Sequence, residues 1–78
     1  MNLTPELIAE VELLALFNPD NTQEGLKIHH DAAPQLIAAG ARLHTKGLIS
    51  QADGGYLTSL GLDAAEQVRG LLTILQSA

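Results

Sequence analysis

The stretch "KGLISQADGGYLTSLGLDAAE", residues 46–66, constrains the backbone more tightly than any other part of the chain. Gly47 reads as a helix end, because glycine adopts without penalty the left-handed conformation that closes many helices. Leu48-Ile49-Ser50-Gln51 and Tyr56-Leu57-Thr58 are short strand segments on either side of Ala52-Asp53-Gly54-Gly55, and an Asp-Gly pair suits a tight hairpin turn. Thr58 or Ser59 can cap a following helix, in which Leu60, Ala64, Val68, Leu71, Leu72 and Leu75 make one broad apolar side. Gly61 predicts close packing of a neighbour on the first turn of that helix. A hairpin over 48–58, with a helix on each side, is therefore the fixed point from which the rest of the chain is read.

Reading outward, Thr4-Pro5-Glu6 is a helix start: Thr caps an orphan N–H, Pro fits the first helical position, and Glu favours the positive end of the helix dipole. Leu7, Val11 and Leu14, with Leu3, Ile8 and Ala15, recur at helical spacing up to Phe17, and Glu6, Glu10 and Glu12 supply polar positions. Asn18-Pro19-Asp20-Asn21 ends this helix. The run "TQEGLKIHHDAAP", from Thr22, supports two readings. As a short helix, the preferred one, it places Leu26 and one of His29 and His30 on one face. As a strand it alternates Leu26 and Ile28 with Lys27 and His29. Pro34 then opens a third helix, "PQLIAAGARLHTK", expected to bury Leu36, Ile37, Gly40 and Leu43 and to turn Gln35, Ala38, Arg42 and Lys46 outward.

Helix, helix, turn, helix, hairpin, helix is an order with a family likeness. Leu43-x-x-Lys46-Gly47-Leu48-Ile49, followed by Gly55-Tyr56-Leu57-Thr58-x-x-Gly61-x-x-Ala64, resembles the recognition-helix exit, wing and closing helix of bacterial winged helix-turn-helix regulators. The likeness spans Thr22 to about Glu66. It implies a mainly α (α+β) fold with three helices, a short β-hairpin wing and a C-terminal helix, occupying residues 1–78 as a single domain. The whole chain is also similar to a small bacterial family without an established function, some of whose members carry DNA-binding labels. The resemblance further implies double-stranded DNA as partner and transcriptional control as the role. Gln35, Ala38, Ala39 and Arg42 of the third helix would then enter the major groove, where Gln can pair with adenine and Arg with guanine. Lys46, Lys27 and the wing residue Gln51 would lie near phosphates.

Charge and composition pull against that role. Four Lys and Arg against nine Asp and Glu leave a net charge of −5, the wrong sign for attraction to a phosphate backbone or an anionic lipid surface. Two alanines between Gln35 and Arg42 leave few groups able to read a base edge, and Asp53 at the wing tip repels phosphate. The competing expectation is a protein-interaction module on the same scaffold that does not bind DNA.

Other functions find less to stand on. No cysteine is present, which removes disulfides and thiolate metal sites and fits a reducing cytoplasm. The first residues have neither a basic nor an apolar leader segment, and no run of about 18 apolar residues suggests a membrane span. His29-His30-Asp31 and His44 are the only group with possible metal chemistry. Adjacent histidines on a helix point about 100° apart, so ordinary polar roles are expected, with no metal and no cofactor. Ser50, Ser59 and Ser77 lack a nucleophile-elbow setting, and the glycines lack phosphate-loop spacing, so a non-enzyme is expected.

A chain of 78 residues buries only about 60% of its unfolded surface, and its core must be built from fifteen Leu with Ile, Val and Ala, since Phe17 and Tyr56 are the only aromatics. Leu13, Leu14, Leu16 and Phe17 in the first helix, with Leu71, Leu72, Ile74 and Leu75 in the last, exceed what one small core can cover. A homodimer through the first and last helices is the expected assembly.

Overall fold

The computed structural model describes residues 2–77. Three helices pack around a small antiparallel sheet: α1 (Pro5–Leu16), β1 (Leu26–Lys27), α2 (Pro34–Thr45), β2 (Ile49–Gln51), β3 (Gly54–Leu57) and α3 (Ser59–Gln76). This is an α+β arrangement, and both proline-opened helices and the capped last helix begin where the local chemistry places them. Thr4 Oγ1 accepts the Leu7 amide at 3.1 Å to start α1, and Gly47, at φ 81°, leads the chain out of α2. Thr58 does two jobs: its Oγ1 accepts the Gly61 amide at 3.0 Å and donates to the Gly47 carbonyl at 2.6 Å, joining the end of α2 to the start of α3.

The hairpin falls within residues 48–58 as expected, but its turn is shorter than the four residues read from the sequence: Ala52 and Asp53 alone form it, Gly54 and Gly55 belong to β3, and β3 lies in the middle of the sheet, in the order β1-β3-β2. Ile49 pairs with Leu57 and Gln51 with Gly54 across β2 and β3, with an irregularity between them. Gly61 has the packing role its position predicts: a Cβ there would lie 1.8 Å from the Leu48 carbonyl oxygen.

The short helix preferred over residues 22–30 is not formed. That run is extended, and Leu26 and Lys27 pair with Gly55 and Gly54 of β3. The reason is tertiary. Gly54, at φ 119°, lets the two backbones approach so closely that a Cβ would fall 2.1 Å from the Leu26 carbonyl oxygen, and Ile28 donates its amide to the Asp53 carbonyl at 2.7 Å. Upstream, Asn18 and Asn21 side chains accept the Asp20 and Gln23 amides at 3.0 and 3.1 Å, holding turns in place of a helix start at Thr22. A strand, not a helix, therefore precedes α2, and the described residues contain three helices where the sequence reading expected four.

α1 packs against both α2 and α3. Ala9, Leu13, Leu14 and Phe17 of this arm meet Ile28, Ala39, Leu43 and Ile49 in the core. Leu13, Leu14 and Phe17 are thus core residues rather than surplus apolar surface, while Leu16, the fourth apolar residue singled out in this helix, is 58% exposed. Ile37, expected inside, is exposed on α2.

Candidate functional site

Arg42 and Lys46 are one helical turn apart on α2, so their side chains share a ridge. That ridge faces α1. Arg42 donates from Nε to Glu10 Oε2 at 3.1 Å and from Nη2 to the Glu6 carbonyl at 3.1 Å, while Lys46 Nζ donates to the other oxygen of Glu10. Glu10 is the one buried charged residue among those described, at 5% exposure. Burial pushes its carboxyl upward, but hydrogen bonds and charge from Lys46 and Arg42 outweigh that and hold it below its ordinary value. Both carboxylate oxygens are occupied, and the two cations that a groove-reading helix would aim at DNA are committed to fastening α1 to α2.

The remaining expected contacts divide in the same manner. Lys27 Nζ donates to Asp53 Oδ2 at 2.6 Å, and this ammonium holds the Asp53 carboxyl below its usual range. Arg69 Nη1 reaches Asp20 Oδ2 at 2.7 Å, tying α3 to the turn after α1. Each of the four Lys and Arg side chains of the chain is therefore paired with a carboxylate. Gln35 and Ala38 are exposed on α2 and Gln51 is exposed on β2. Ala39, expected to face outward, is 0% exposed and belongs to the core; at 100° per residue it lies on the side of Leu43, one turn on. Gln35, Ala38 and Gln51 thus remain as solvent-facing positions without a free cation beside them.

Glu10 carried a sequence signal that amphipathic patterning passed over. It stands three and four residues before Leu13 and Leu14, which places it on the apolar face of α1 rather than with Glu12 on the solvent side. A carboxylate in that position needs cationic partners, and Arg42 and Lys46 are correctly spaced to supply them.

His29 and His30 line a shallow groove of about 350 Å³ with Ile37, Ala41 and Asp53. His44 is exposed on α2 and lies outside that groove. Among the described residues no three His, Cys, Asp or Glu side chains gather as metal ligands, and no helix is long and apolar enough to cross a membrane.

The largest unsatisfied feature is apolar. Leu60, Leu71, Ile74 and Leu75 of α3 are 57, 57, 72 and 68% exposed, and Leu7, Ile8 and Val11 of α1 are exposed as well. Val11 lies with Ala64, Gln67, Val68, Leu71 and Leu72 around a groove of about 310 Å³ between the two helices, so this surface is continuous across α1 and α3. Contiguous apolar patches of more than a few hundred Å² are uncommon on monomers and mark contact surfaces.

No curated protein and no solved structure matches the chain. Residues 1–76 match the family of unknown function designated DUF5669, and the chain belongs to that family.

Proposed function

We propose that this member of the DUF5669 family is a protein-interaction module on a winged-helix-like scaffold, docking a partner protein through the apolar face of α1 and α3. The observation that carries the reading is that continuous face, with Leu60, Leu71, Ile74 and Leu75 all more than half exposed. The charge arrangement supports it from the other direction. DNA binding draws its affinity from cations that displace counterions from phosphates. Here each Lys and Arg is already opposite a carboxylate, and the chain keeps a net charge of −5. Arg42 would have to give up its bond to the buried Glu10, leaving Lys46 as that carboxylate's one cation, in order to reach a base, a cost that works against binding.

Photo-reactive leucine incorporated throughout the chain tests the reading. After irradiation in lysate of its source cells, intermolecular cross-links are expected at Leu7, Leu60, Leu71 and Leu75. In parallel, mixed genomic duplexes at low salt should leave fluorescence anisotropy unchanged. Cross-links confined within single chains, together with anisotropy that rises with protein and falls steeply with salt, would return the chain to the DNA-binding role that its family likeness implies.

A further inference from the structure

The face shared by α1 and α3 has a long apolar middle and acidic edges. Leu60, Ala64, Leu71, Ile74 and Leu75 lie within about 100° of arc on α3, and from Leu60 to Leu75 they run about 22 Å along the helix. On α1, Leu7 and Val11 form the ridge nearest that strip, and Ile8 and Glu12 form the next one outward, the members of each pair one turn apart. Glu12 therefore closes the face on one side. Asp63 and, further round, Glu66 close it on the other: both are exposed, and they follow Ile74 around α3 on the side away from Val11.

The chemistry of an occupant follows from what this face offers. Both of its walls are helices, whose backbone groups bond within the helix. Among the described residues it therefore carries no row of free N–H and C=O groups for an extended segment to pair with. A helix brings its own backbone bonds and needs only an apolar stripe, which ridges such as Leu60-Ala64 and Leu71-Leu75 accept. The groove of about 310 Å³ beside Val11 gives the side chains of that stripe a seat. Gln67, a polar side chain in the strip, can donate to a partner or accept from it.

Charge narrows the occupant further. The four Lys and Arg are held by Glu10, Asp20 and Asp53, so the negative charge of Glu12, Asp63 and Glu66 is left uncompensated. Acidic flanks on a partner are repelled by these edges and basic flanks are attracted, which is how a charged rim sets partner choice. A second copy of the chain brings the same three carboxylates and has no unpaired Lys or Arg to set against them. The cations must come from elsewhere.

We propose that the partner on this face is an amphipathic helix of a different protein, about four turns long. Its apolar stripe lies along α3 and α1, and its flanking Lys and Arg side chains meet Glu12 on one side and Asp63 and Glu66 on the other. The proposal rests on the interaction-module reading and gives that module the chemistry of its partner.

Three synthetic helical peptides of about 18 residues test it. They share one Leu stripe, differ only in having Lys, Gln or Glu beside it, and are titrated as fluorescein conjugates against the full-length protein. The Lys-flanked peptide is expected to bind most tightly and the Glu-flanked one least, and the affinity of the first should fall as salt rises. Asp63→Asn with Glu66→Gln should weaken the Lys-flanked peptide about three- to tenfold, the effect of two exposed ion pairs. Glu24→Gln with Asp31→Asn makes the same change of net charge on either side of β1 and should leave that affinity within about twofold. Leu71→Ser, at a side chain already 57% exposed and so of little weight in the fold, should weaken all three peptides. Equal affinity for the Lys- and Glu-flanked peptides, no measurable binding of either, or equal losses in the two double variants overturns the proposal. The photo-leucine experiment separates that failure from failure of the underlying reading. Cross-links from Leu60, Leu71 or Leu75 to a second copy, or to a partner segment that is not a basic amphipathic helix, overturn the proposal and leave the interaction module standing. If no intermolecular cross-link forms at all, both fall.

Discussion

Glu10→Gln isolates the ion cluster between α1 and α2. The substitution keeps the shape of the side chain, so little packing is lost. What changes is charge and donor polarity: the amide offers one acceptor oxygen to two cations and turns its own N–H groups toward the other. Two limits bracket the cost. An exposed ion pair contributes up to about 1 kcal/mol, and removing one partner of a buried pair costs about 3–5 kcal/mol. The Glu10 side chain, 7% exposed, sits at the buried limit, but those of Arg42 and Lys46, at 34% and 48%, recover water when released. A loss of about 2 kcal/mol follows. For a domain of this size that lowers Tm by roughly 8–16 °C. Urea and thermal unfolding followed by helical circular dichroism, at one fixed protein concentration, measure it. The pH dependence supplies a second reading. Because the folded carboxyl titrates below its ordinary value, its contribution is complete above the unfolded pKa and is lost as pH falls through the folded one. The gap between the unaltered protein and Glu10→Gln should therefore be flat near neutrality and close on acidification, where a protonated Glu10 resembles Gln. A gap under about 0.5 kcal/mol at neutral pH, or one that persists undiminished in acid, refutes the role assigned to Glu10.

Gly61→Ala should destabilise by about 3 kcal/mol or more, since its Cβ would fall 1.8 Å from backbone. Gly70→Ala, in open space on the same helix, should stabilise by about 0.5–1 kcal/mol; chemical denaturation of the pair gives the contrast. Thr58→Ala should cost about 1–2 kcal/mol, and the more exposed cap Thr4→Ala about half of that, because Thr58 also donates to Gly47; equal losses would deny the second bond any weight. Gly54→Ala should separate β1 from β3, read as faster amide exchange at Lys27 and Ile28 with α1 and α3 protected.

Where the backbone was dictated by neighbours in sequence, the fold was legible. Thr4-Pro5, Pro34, Gly47 and Thr58 each fix a helix end within one or two residues by their own φ preference or hydrogen-bonding capacity, and all four act as expected. Residues 22–30 were legible only as an alternative. Local preference there was weak, and the deciding partner is β3, about 28 residues further along, whose Gly54 provides the close approach. Gly25 and the β-branched Ile28 were signs against a helix, but a strand of two residues is too short to announce itself by alternation.

The pairing of Arg42 and Lys46 was illegible for a related reason: a helical wheel shows which face of α2 is polar but not what stands opposite it. Arg42 and Lys46 on one ridge are compatible with a DNA groove and equally with a carboxylate on a neighbouring helix, and only the position of α1 distinguishes the two. Once Glu10 lies between them, the resemblance to DNA-binding regulators has a narrower physical content. Its residues, Gly47, Leu48, Ile49, Thr58 and Gly61, are those that end α2, start the hairpin and seat α3 against Leu48. They specify how a helix and a hairpin join, and that joint carries no charge. A fold signature of this kind passes unchanged between proteins that bind nucleic acid and proteins that do not. The discriminating information lies in the cations, whose partners are set by tertiary contacts, and in the apolar face of α3, where Leu60, Leu71, Ile74 and Leu75 stand exposed.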